Sequence, residues 1–98
     1  MKPVILHCEA DVELTNIAKQ YKCQWPELAH DFLQAFREAR DAIAKNPDRF
    51  GFVEPSVRRA RIPGFPYRVL FEELEDCVHV LAIMHPSREP GYWRRRLS

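Results

Sequence analysis

Arg59, Arg61, Arg68, His85, Arg88, Tyr92 and Trp93 are the residues of this 98-residue chain whose types could do chemistry together. A guanidinium is a flat fork of N–H donors that matches two oxygens of a phosphate or a carboxylate. An imidazole takes or gives a proton near neutrality. An aromatic face stacks on an unstacked nucleobase. His85, Arg88, Tyr92 and Trp93 share one closing stretch, HPSREPGYWRRR, residues 85–96. It follows the apolar run CVHVLAIM directly. A tail of this kind after a strand serves packing, a protein-binding surface, or the handling of RNA phosphates.

Periodicity indicates the elements that must hold these side chains in place. PVILH, residues 3–7, reads as a short strand. Ala10, Leu14, Ile17, Ala18 and Tyr21 then recur on one face of a helix. Pro26 suits the first turn of a second helix, where its missing N–H costs nothing. Leu28, Phe32, Ala35, Phe36, Ala39 and Ile43 form the apolar stripe of that helix, and Asn46-Pro47 stops it. Two amphipathic helices joined so closely form an antiparallel hairpin. Residues 46–56 read as a loop that tucks Phe50 or Phe52 against the domain. Strands follow at 57–62, 67–72 and 77–85, separated by a Pro63-Gly64 turn and by the acidic ELED at 73–76. The order β-α-α-β-β-β predicts an α+β fold, with the helical hairpin on one face of a mostly antiparallel four-stranded sheet.

Strict alternation sorts the side chains between two faces. Tyr67, Val69, Phe71, Val78, Val80, Ala82 and Met84 are expected against the helices. Arg59, Arg61, Arg68, Leu70, Glu72, His79, Leu81, Ile83 and His85 are expected on the open face. That face is half apolar and half basic, so the chain's own tail, a partner or a ligand should cover part of it. His79 reads as an ordinary sheet residue. Tyr92 and Trp93 pack back onto the sheet or stack on bases, and Arg94–Arg96 form a solvated terminus or a diffuse attraction for nucleic acid.

Composition sets the bounds. Hydrophobic residues make up 46% and charged residues 30%, which argues against disorder and fits one domain over residues 1–98. No apolar run approaches the roughly 20 residues that a membrane helix needs. The N-terminal apolar stretch is too short for a signal peptide, so a cytoplasmic protein is expected. Cys8, Cys23 and Cys77 are scattered, with no CxxC pair, and read as reduced thiols. Neither metal nor cofactor is called for. Residues 1–54 carry seven basic and nine acidic side chains, whereas residues 55–98 carry eight and five. Every basic residue of the second half is arginine, so that half is the expected contact surface for an anion.

The element order together with RRARIPGFPYRVLFEELEDCVHVLAIMHPSREPGYW resembles the RelE/ParE superfamily of toxins from type II toxin–antitoxin modules, over nearly the whole chain. The resemblance implies one of two activities. RelE-like members cleave mRNA, usually in the decoding site of the ribosome; ParE-like members make no cut and poison DNA gyrase. Both are held inactive by a cognate antitoxin whose C-terminal segment wraps the toxin. Arg68 in YRVLF matches the sheet arginine that RelE-like nucleases set against the scissile phosphate. Arg88 and Tyr92 match their C-terminal arginine and tyrosine, and His85 resembles a histidine that serves some of them as acid or base. RelE-like lysines before and within the second strand have no counterpart, since no lysine follows Lys45, although Arg58, Arg59 and Arg61 lie near.

Metal-free RNA cleavage needs a base for the 2′-hydroxyl, a cation for the phosphorane and an acid for the leaving 5′-oxygen. The resemblance thus implies first a metal-independent mRNA endoribonuclease. Arg68, His85, Arg88 and Tyr92 would be catalytic, and Arg59, Arg61 and Trp93 would bind substrate. The alternatives are a non-enzymatic gyrase inhibitor and a toxin fold without activity. An antitoxin partner is expected in any of these cases. The nuclease reading rests on the alternation that puts Arg68 and His85 on the same helix-free side of the sheet.

Overall fold

The computed structural model describes residues 1–98. Strand β1 (Val4–Leu6) leads into helices α1 (Cys8–Gln24) and α2 (Pro26–Lys45), and strands β2 (Phe52–Glu54), β3 (Val57–Arg61), β4 (Arg68–Glu73) and β5 (Val78–Met84) follow. Single 3-10 turns occupy Pro47–Arg49 and Arg94–Arg96. The strands form one sheet in the order β1-β5-β4-β3-β2, with β1 parallel to β5 and every other pair antiparallel. The expected α+β architecture is present, and its sheet gains β2 as a fifth strand where the sequence reads as a loop. No helix is long and apolar enough to cross a membrane.

The hairpin turns on one residue. Trp25 precedes Pro26, whose ring disfavours helical backbone in the residue before it. Trp25 is extended (φ −160°, ψ 116°), caps both helices, and donates its N–H to Tyr21 O at 2.8 Å. At the other end of α1, His7 is the N-cap, and its Nδ1 accepts the Glu9 N–H at 3.1 Å.

Both faces of the sheet are covered, by different parts of the chain. Phe32, Ala35, Phe36, Ala39 and Ile43 of α2, with Ala10 and Ile17 of α1, pack on Ala60, Ile62, Val69, Phe71, Val78, Val80 and Ile83. Tyr21, Phe32, Phe65 and Tyr67 close one end of this core as a cluster of tilted and edge-on rings. Phe50 is the loop aromatic that tucks in, edge-on to Phe71, while Phe52 stays exposed beneath Arg58. On the opposite face Val57, Leu70, Leu81 and Ala82 bury Trp93 of the tail.

A bulge in β5 corrects the expected alternation. Leu70 pairs with Ala82, but its neighbour Phe71 pairs with Val80, so Leu81 is an extra residue opposite the two. Two consecutive side chains, Leu81 and Ala82, therefore face the tail. Every later residue of β5 is reversed. Ile83 packs with the helices, and Met84 joins the tail side. The expectations for Ala82, Ile83, Met84 and His85 fail for this single reason.

Candidate functional site

The last six residues form a strap across the sheet. Gly91 makes the turn into it at φ +76°, where any Cβ would also meet the Arg94 guanidinium. Trp93 is only 3% exposed, so it has no free face for a nucleobase and is a packing residue. The three arginines that follow are fastened to carboxylates of the first half. Arg94 donates to both oxygens of Glu54 on β2, from Nε at 3.1 and 2.8 Å. Arg95 grips Glu9 of α1 with both Nη atoms. Arg96, buried, donates to Glu13 at 3.1 Å and to Leu81 O at 2.9 Å. The carboxyls of Glu9 and Glu54 are held below their ordinary range, chiefly by these hydrogen bonds. The tail is thus no free basic patch: Arg94 and Arg95 stay exposed but paired, and Arg96 is buried.

Glu13 and Arg96 also complete an edge of the sheet. Strand β1 covers only the first part of β5, its pairing ending at Leu6 with Val80. Beyond it, Ile83 donates its N–H to Glu13 Oε1 at 3.0 Å, and Leu81 O receives Arg96. Side chains thereby stand in for the missing strand, since buried backbone polar groups need partners.

Tyr92 belongs to the same junction. Its hydroxyl donates to Glu13 Oε2 at 2.9 Å, and its ring has the Arg88 guanidinium at 3.9 Å and that of Arg96 at 5.1 Å. Burial first, then the hydrogen bond and charge of Glu13, push its phenol up to about 12. At neutral pH this group is a fixed donor, unsuited to proton exchange.

Arg68 and His85 do not converge. Alternation along β4, with Val69 and Phe71 in the helix-side core and Leu70 against Trp93, sets Arg68 on the tail side. It pairs across the strands with Met84 and Arg61, and Arg59 pairs with Leu70, so Arg59, Arg61 and Arg68 share that face. None of the three forms an ion pair, and Arg68 Nε is buried without a partner. Beside them lies an apolar slot of about 160 Å³ between Val53, Leu70, Met84 and Trp93. Also on this face, His79 donates to the buried Glu72 carboxylate at 2.7 Å, and the Ser98 N–H donates to the same oxygen at 3.0 Å.

His85 stands on the helix side, its ring edge-on to Tyr67 at 5.3 Å. With Arg88 it lines a cleft of about 290 Å³ whose other polar walls are Glu13, Asn16, Gln20 and Tyr67. The bulge is what carries His85 there, away from Arg68. Sequence reasoning missed Glu13, Asn16 and Gln20. They recur at helical spacing on α1, but such a stripe does not reveal which strand end it will meet. Cys8, Cys23 and Cys77 are free thiols, and no three His, Cys, Asp or Glu side chains come together as a metal site.

Comparison with known proteins agrees with this architecture. The family model described as "ParE toxin of type II toxin-antitoxin system, parDE" matches residues 4–90. A solved structure, "Chromosomal ParDE TA system from P. aeruginosa", superposes with a TM-score of 0.75 at 19% identity, covering 87% of this chain and 96% of that one. At that identity the likeness concerns the fold. No curated protein matches.

Proposed function

We propose that this chain, which belongs to the ParE toxin family of type II toxin–antitoxin systems, disables its target by binding it and performs no RNA chemistry. The separation of Arg68 from His85 carries this reading. A metal-free cut needs base, cation and acid around one phosphate; here the sheet stands between Arg68 and His85, which leaves His85 with Arg88 alone as the cation in its cleft. The fastened Tyr92 hydroxyl and the buried Trp93 ring support the same reading. DNA gyrase is the target that the resemblance to ParE-like toxins implies.

The family also implies a cognate antitoxin. We assign its docking segment to the tail-side slot and the arginines beside it. Arg59, Arg61 and Arg68 lack carboxylates of their own, whereas Arg94, Arg95 and Arg96 each have one. An extended segment with an apolar anchor and acidic flanks would fill the slot and pair the guanidinium groups.

Induction of the protein in growing cells tests the toxin reading. DNA-damage signalling with intact transcripts is expected, and Arg68→Ala should leave that toxicity unchanged. Early transcript cleavage, lost in Arg68→Ala and His85→Gln, would restore the nuclease reading and overturn this one.

A further inference from the structure

The sheet has two edges, and they are not alike. Strand β2 is blunted: its register with β3 shifts between Phe52 and Glu54, Pro55 follows it, and the Arg58 guanidinium lies over the Phe52 ring at 3.9 Å. Strand β1 carries none of these devices. It bears no charged side chain, and Ile5 at its centre is 52% exposed. Toward β5, Pro3 O accepts the Val78 N–H at 2.9 Å, and His7 donates its N–H to Val80 O at 2.8 Å. Backbone groups alternate sides along a strand. The N–H and C=O of Val4 and Leu6 therefore point outward, where no strand of this chain pairs with them.

That pattern is self-complementary. An antiparallel copy of β1, placed on a two-fold axis at Ile5, sets Val4 opposite the second copy's Leu6 and Leu6 opposite its Val4. Each pair exchanges both of its N–H···O bonds, which uses all the outward groups of these residues. The two Ile5 side chains then meet as a non-hydrogen-bonded pair, the closer of the two kinds.

The rest of the edge fits the same axis. Beside Val4 on the helix side lies a cleft of about 440 Å³ whose walls include Arg40 and Ala44 near the end of α2. Because α1 begins at Cys8, soon after β1 ends, the axis brings the first turn of the second copy's α1 to this cleft. That turn carries Asp11, exposed and without an ion pair, and Arg40 has only its neighbour Asp41 as a partner. The charges across the axis are thus complementary, and so are the helix ends, the positive start of one α1 against the negative end of the other α2. Val12 is 57% exposed on the side of α1 away from Ala10 and Ile17, and it is the apolar side chain that enters the cleft.

We propose that β1 is the pairing edge of a homodimer, in which two copies of this chain join their sheets antiparallel about an axis at Ile5. This edge shares no residue with the tail-side slot assigned to the antitoxin, and the proposal is independent of the toxin's target.

Sedimentation equilibrium of the full-length chain, from about 1 µM to about 1 mM, tests it. A monomer–dimer equilibrium is expected. Ile5→Lys and Val12→Lys, both at exposed positions, should each weaken it about tenfold or more, because a charge is then buried at the pairing edge. Phe52→Lys, on the β2 edge, should leave it unchanged. Register is read separately. The Cα atoms of a non-hydrogen-bonded pair lie about 4.5 Å apart, within the range that a disulfide spans. With Cys8, Cys23 and Cys77 replaced by serine, Ile5→Cys should therefore cross-link two copies on mild oxidation, and Phe52→Cys should not. A chain that stays monomeric throughout, a dimer indifferent to Ile5→Lys, or equal cross-linking of the two cysteine variants would each overturn the proposal. So would a monomer whose Val4 and Leu6 amides gain protection from hydrogen exchange only when the antitoxin is added, which names the antitoxin as the occupant of this edge.

Discussion

At the scale of single residues, Tyr92 and Trp93 show how similar side chains acquire different duties. Trp93 fills the space between Leu70, Leu81 and Ala82. Trp93→Ala should cost about 3–5 kcal/mol, read from the denaturant midpoint, because it opens a cavity under the strap. Tyr92 is tied by its hydroxyl, and its phenol titrates at about 12 in the folded protein against about 10 in an unfolded chain. The folded state thus holds this proton more tightly. Its contribution is fully present below pH ~10 and is lost as pH rises through ~12. Stability should fall over that window, and Tyr92→Phe should flatten the fall, as measured by unfolding at a series of alkaline pH values. The arginines on the tail side belong to the same scale. Arg59→Glu combined with Arg61→Glu should leave toxicity in place while weakening neutralisation by the antitoxin, measured as rescue of growth on co-expression.

At the scale of elements, the strap and the bulge account for what the sequence left hidden. The helices were legible because Phe32, Phe36, Ala39 and Ile43 repeat at helical spacing and Pro26 and Pro47 mark the boundaries. Strands β3 and β4 were legible because alternation holds along each. In β5 it does not. CVHVLAIM is apolar at nearly every position, so its pattern cannot show that Leu81 and Ala82 share a face; only the register with β4 decides that. The three residues of β2 are too few to show any period. The pairs of Arg94 with Glu54, Arg95 with Glu9 and Arg96 with Glu13 join residues distant in sequence. Arg96→Met should be the most damaging change among the three arginines, costing about 3 kcal/mol, because it leaves Leu81 O without its side-chain donor and the part-buried Glu13 without its counter-charge. The exposed clamps answer to pH. Glu9 and Glu54 titrate below their ordinary 4.5. The stabilisation they give is therefore present above that value and is lost as pH falls through the lowered one. Trp93 fluorescence in a Trp25→Phe background should shift to the red on acidification below pH ~4.5 as the strap loosens.

At the scale of the whole molecule, the uneven charge of the two halves is largely an internal matter. The terminal arginines of the second half neutralise carboxylates of the first, which leaves Arg59, Arg61 and Arg68 on one face and Arg88 beside the α1 cleft as the arginines of that half with neither a carboxylate nor a carbonyl partner. A toxin arranged in this way has surfaces for binding, and Arg68 and His85 lie on opposite sides of its sheet. The most direct measurement uses the purified chain in two parallel reactions. One contains DNA gyrase, ATP and relaxed plasmid, and the other contains translating ribosomes with a defined mRNA. The account predicts dose-dependent loss of supercoiling, or accumulation of gyrase-cleaved plasmid, while the mRNA stays whole. Cut mRNA with fully active gyrase would contradict it.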